Sequence, residues 1–73
     1  MSEKLVYPCK AIVIATPYQI ARDGLDYIIE TGEPITLTKE FTDYGDIRHR
    51  FTSKLVVDNT YSILRSYFIK LYV

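Results

Sequence analysis

Residues 16–34 read Thr-Pro-Tyr-Gln-Ile-Ala-Arg-Asp-Gly-Leu-Asp-Tyr-Ile-Ile-Glu-Thr-Gly-Glu-Pro, and this stretch sets the expected architecture. Thr16 is a helix N-cap residue type. Pro17 falls at the first helical position, where its missing N–H costs nothing, and Gln19 can close a capping box. At the far end Gly32 is a left-handed stop and Pro34 blocks continuation. At about 100° per residue, Tyr18, Ile20, Ala21, Gly24, Leu25, Tyr27, Ile28 and Ile29 fill one broad side, and Gln19, Arg22, Asp23, Asp26 and Glu30 fill a narrow arc. The pattern predicts an amphipathic helix over 16–31, with Gly24 inside it at about 1 kcal/mol against Ala.

Upstream, residues 4–15 are rich in β-branched and apolar types, and Ala11 to Ala15 is apolar on both faces, as in a covered strand. Downstream, residues 35–41 alternate. Ile35, Leu37 and Phe41 fall on one face, and Thr36, Thr38 and Glu40 on the other. Asp43-Tyr44-Gly45-Asp46 is a turn. Residues 47–57 alternate again, with His49, Phe51, Leu55 and Val57 inward and Arg48, Arg50 and Lys54 outward. Residues 61–73 fit either a helix or a strand. A hairpin loop at 58–60 would pair Leu55 with Ile63, Phe51 with Tyr67 and His49 with Ile69, placing the polar breaks Ser53 and Arg65 on one rung. The same rule pairs Phe41 with Ile47 and Leu37 with Phe51 in the preceding hairpin. The expected fold is therefore one small α+β domain over residues 1–73, β-α-β-β-β, with one helix packed on a mainly antiparallel sheet. Its first strand lies parallel to its neighbour after a right-handed crossover. The alternative is β-α-β-β-α, with a C-terminal helix.

Nine basic and nine acidic residues cancel, which removes the simplest argument for a nucleic-acid partner, an overall basic chain. Cys9 is the sole cysteine, so no intramolecular disulfide forms. With no signal-peptide pattern and no run of membrane-spanning length, the expectation is a cytoplasmic protein without membrane association. Seven tyrosines and no tryptophan suit edges and interfaces.

The sequence offers little to catalysis. His49 is the sole histidine, and a small enzyme using Cys9 would need His49 beside it with an oxyanion donor. One Cys and one His leave only turn carboxylates for a metal. No glycine-rich phosphate loop opens the helix. The expectation is no catalytic residue, no cofactor and no metal.

Binding surfaces carry more. The expected outer sheet face gathers Arg48, Arg50, Lys54, Leu64, Phe68 and Tyr72, and the helix arc gathers Asp23, Asp26 and Glu30. An open sheet face carrying apolar side chains calls for a covering partner. The expectation is a small non-enzymatic protein-interaction domain, a regulator or inhibitor that binds a larger protein and self-associates as a homodimer. The alternative is single-stranded nucleic acid on the basic and aromatic face, with Phe68 and Tyr72 stacking bases.

Overall fold

The computed structural model describes residues 5–71. Five antiparallel strands form one sheet: β1 (Cys9–Val13), β2 (Pro34–Asp43), β3 (Asp46–Thr52), β4 (Ser62–Leu64) and β5 (Phe68–Lys70), in the order β4-β3-β2-β1-β5. One short helix, α1 (Pro17–Arg22), lies between β1 and β2, and one 3₁₀ turn (Arg65–Tyr67) joins β4 to β5. A small α+β domain with one helix and a five-stranded sheet is thus what the sequence folds into.

The helix begins as the sequence predicts and ends much earlier. Thr16 Oγ1 accepts from the Gln19 N–H at 3.2 Å, and Gln19 Oε1 accepts from the Thr16 N–H at 2.9 Å, completing the capping box. The predicted span to residue 31 is wrong because Gly24, not Gly32, is the first stop. Gly24 has φ +74°. Its N–H donates to the Ala21 carbonyl at 3.0 Å, and the Leu25 N–H donates to the Ile20 carbonyl at 2.9 Å. That pair of bonds is a Schellman motif, and Leu25 and Ile20 are both buried, as its hydrophobic contact requires. Leu25 and Ile29 still reach the core, but through turns, which is why their helical spacing misleads.

So short a helix cannot serve as a crossover. The excursion returns beside β1, with the Gly32 N–H on the Val13 carbonyl at 2.7 Å and the Val13 N–H on the Glu33 carbonyl at 3.0 Å. β1 therefore pairs antiparallel with β2, Cys9 opposite Leu37 and Ala11 opposite Ile35, correcting the parallel arrangement expected from the sequence.

β2 and β3 keep the expected rung of Leu37 opposite Phe51. A β-bulge then shifts the pairing by one, so that Phe41 faces Arg48 instead of Ile47. Side-chain direction alternates along a strand, so one extra residue moves Phe41 off the face of Ile35 and Leu37 and brings Glu40, still exposed, opposite His49.

The C-terminal segment is neither one long strand nor a helix. β4 pairs with β3 through His49 opposite Ile63, not Ile69. β5 leaves β3 altogether and pairs with β1, Ile12 opposite Ile69 and Val13 opposite Phe68. In the intervening loop Val56 is buried while Leu55 and Val57 are exposed, the reverse of the extended alternation.

This connectivity forces the sheet to curl. In a flat sheet β4 and β5 would stand four strand spacings apart, about 19 Å. The chain from Leu64 to Phe68 reaches about 15 Å at most, and a 3₁₀ turn shortens it further. The edges therefore bend toward each other around Ala11, Val13, Leu37, Phe51, Ile63, Tyr67 and Phe68, all at or near zero exposure. The Tyr67 carbonyl closes the curl by accepting from the N–H groups of Ile14 at 2.8 Å and Ala15 at 3.1 Å.

Gly24 has open space around the position a Cβ would occupy, so the penalty for a side chain there is purely conformational. Gly24→Ala lowers unfolding stability by about 1 kcal/mol, and Gly24→Asn by less, since Asn tolerates the left-handed region. Urea denaturation of the two variants checks this, and equal stability of Gly24→Ala and the parent chain would contradict the Schellman assignment.

Candidate functional site

Two polar clusters flank β3, one inside the curl and one outside. Inside, the Tyr7 hydroxyl shares a 2.8 Å hydrogen bond with His49 Nδ1. His49 is 1% exposed, and its Nε2 is buried with no hydrogen-bond partner among the described residues. Phe68 meets the imidazole edge-on, ring centroids 5.1 Å apart. Burial pushes the His49 pKa below its ordinary value, with the Glu40 charge opposing and the Arg65 charge assisting. Burial also pushes Tyr7 up, with the Glu40 charge adding to it. Arg65 lies over the Phe68 ring at 4.8 Å and donates to the Phe68 carbonyl at 3.2 Å.

Chemically, this cluster holds a neutral imidazole and a neutral phenol. Cys9 is buried, its Sγ directed at the Lys10 carbonyl at 3.9 Å, and the His49 hydrogen bond goes to Tyr7. The sequence-derived Cys9–His49 pairing therefore has no hydrogen bond behind it among the described residues. No group of three or more His, Cys, Asp or Glu side chains is placed to hold a metal ion among them. No helix of the described residues is long and apolar enough to cross a membrane.

Outside, β3 presents Arg48 and Arg50 as its alternation predicts. Arg48 Nε donates to Ser62 Oγ at 3.0 Å, and its Nη2 donates to the Ser62 carbonyl at 3.3 Å. Arg50 Nη1 donates to the Asn59 carbonyl at 2.8 Å, while its guanidinium stacks over the Phe41 ring at 4.9 Å. Leu64 lies opposite Arg48 on β4. Arg48, Arg50 and Leu64 are therefore brought together as the sequence suggested. Phe41 joins them, a residue assigned from sequence to the buried face, and only the bulge places it here.

The other expected members of this face go elsewhere. Phe68 is 1% exposed in the core, because β5 pairs with β1 and turns it inward beside Val13. Lys54 sits in the β3–β4 loop and borders the same shallow hollow as Asp26, Glu30 and Glu33. Tyr72 lies outside the described residues. Asp23, Asp26 and Glu30 are exposed, but not as an arc of one helix. Asp23 is the C-cap of α1, and the other two follow in the turns.

The pKa of His49 is lower in the fold than the ordinary 6.5 of an unfolded chain. Between those two values only the unfolded chain takes up the proton, so stability is full above about pH 6.5 and falls as the pH drops through that window. Urea midpoints should decline below pH 6.5, and a flat profile there would contradict a neutral buried His49. Tyr7→Phe removes the Nδ1 partner and should cost about 1–3 kcal/mol at neutral pH.

No protein-family model matches the chain, and no curated protein or solved structure gives a match.

Proposed function

We propose that this chain is a small protein-interaction domain with no catalytic task, which acts by occupying a surface on a larger protein through the outer face of β2, β3 and β4. The observation that carries this reading is the pair of pre-positioned arginines. Arg48 and Arg50 are each held by two hydrogen bonds to the chain at residues 59–62, and Arg50 is stacked on Phe41. Arginine side chains ordered in advance lose less freedom on binding, and arginine beside aromatic or aliphatic groups is the composition of interface hot spots. Phe41 and Leu64, both half-buried, supply the apolar part. The partner surface such a face suits is acidic at its rim and apolar at its centre.

Single-stranded nucleic acid is the weaker reading. It needs exposed aromatic rings for stacking, and Phe68 is in the core.

Affinity capture with the intact chain, followed by mass spectrometry, tests the proposal when run beside Arg50→Ala and Leu64→Glu. One protein retained by the parent chain and weakened about tenfold or more by either substitution is the expected result. Salt-sensitive binding of a fluorescent single-stranded oligonucleotide by the same face would favour the alternative instead.

A further inference from the structure

The β2–β3 hairpin ends in a two-residue turn that the fold does not explain. Tyr44 has φ +50° and Gly45 φ +82°, the positive pair that a type I′ hairpin turn requires. Gly, Asn and Asp suit the first of those positions, and a bulky ring does not. Tyr44 is nevertheless there, and at 99% exposure its ring packs on none of the described residues. The flanking residues add a second local cost. Asp43 and Asp46 stand directly opposite each other across the strands, and like charges on one rung repel. An exposed ring, a disfavoured backbone and two facing carboxylates share one remedy, a basic recess with an apolar wall.

The opposite end of the same hairpin has such a recess. An open hollow of about 330 Å³ is lined by Lys10 and Lys54, the apolar Pro34 and Leu71, and the hydroxyls of Thr36 and Thr52. Lys10, Thr36 and Thr52 form one cross-strand row, so the sheet itself fixes this floor. Lys54 also borders a neighbouring hollow with Glu30 and Glu33, so Lys10 is the lysine of this lining that the sheet itself holds in place. The turn cannot reach its own hollow. Thr36 and Asp43 are seven residues apart on one extended strand, about 23 Å.

We propose that the Asp43–Asp46 turn of one copy seats in the Lys10–Lys54 hollow of a second, Tyr44 against Pro34 and Leu71, so that copies associate head to tail. The contact is heterologous, joining two different surfaces, and so continues into a ring or a chain of copies instead of stopping at a two-fold dimer. It uses none of Arg48, Arg50, Phe41 and Leu64, so this inference and the proposed partner face stand or fall separately.

Sedimentation velocity of the full chain tests it. The parent chain should show a mean mass that rises with protein concentration and falls with added salt. Tyr44→Asn, which suits the turn better and removes the ring, should fold with a higher thermal midpoint yet weaken association about tenfold or more. Lys10→Glu should weaken it as much. A mixture of the two variants is decisive. Each retains the half that the other lacks, so together they should form dimers and nothing larger. A parent chain that sediments as a single copy at every concentration overturns the inference. So does association that survives Tyr44→Asn unchanged, or a mixture that stays monomeric.

Discussion

The structure depends on the closure at Tyr67. β4 and β5 are three residues each, far too short to hold an edge position by their own pairing. What holds them is one 3₁₀ turn that carries the chain from one edge of the sheet to the other. The Tyr67 carbonyl accepts two N–H groups from the end of β1, its ring is buried, and its hydroxyl accepts from Arg22 Nη2 at 3.4 Å. Backbone closure, core filling and attachment of α1 thus meet at one residue. A chain of 73 residues has few elements to cover a flat sheet. Curling the sheet around its own side chains removes most of that need, and the short α1 and its following turns cover what the curl leaves open through Ile20, Leu25 and Ile29.

The bulge in β2 has consequences out of proportion to its single residue. Thr38 satisfies it by donating between the Arg50 carbonyl and Asn59 Oδ1, at 3.3 and 2.7 Å. Beyond it the faces of β2 exchange. Glu40 comes to oppose His49 and so acts on the charge balance of the Tyr7–His49 pair, and Phe41 comes out beneath Arg50. The placement of Glu40 beside His49 and that of Phe41 beside the arginines are therefore products of the same irregularity. A substitution that removed the bulge would exchange these two residues of β2 and leave His49, Arg48 and Arg50 of β3 where they are.

Local signals were legible in the sequence, and the long-range ones were not. The capping box at Thr16 and Gln19, the turn at Asp43–Asp46 and the Leu37–Phe51 rung each rest on neighbours or on unbroken alternation. Arg48 and Arg50 share a face for the same reason. The helix end was hidden because Gly24 and Gly32 both qualify as stops, while Leu25 and Ile29, buried through turns, imitate a continuing helical stripe. The bulge was hidden because Thr36-Leu37-Thr38 alternates faithfully up to the residue where the register slips. The C-terminal register was mistaken because Ser53 and Arg65 lie on one rung of an arrangement that the chain does not adopt. Residues 61–71 are apolar enough to pair with almost anything, and the choice of β1 as the neighbour of β5 follows from closure, which no local pattern encodes. Phe68 was placed on the wrong face for that reason.

Where the fold tolerates local cost is itself informative. Among the described residues the interior accepts one unsatisfied side-chain atom, His49 Nε2, beside the Tyr7–His49 hydrogen bond. The arginines outside are each tied to residues 59–62 by two hydrogen bonds. Two costs that no described residue offsets gather at the β2–β3 turn, where a tyrosine holds a left-handed backbone and two aspartates oppose each other. This is the part of the hairpin beyond the rungs that pair with β1 and β4, so strain there is not transmitted to the closure and does not threaten the core. An irregularity required by packing belongs where packing is dense, as the Thr38 bulge does. One placed at an exposed tip, where the Tyr44 ring packs on none of the described residues, serves no packing among them.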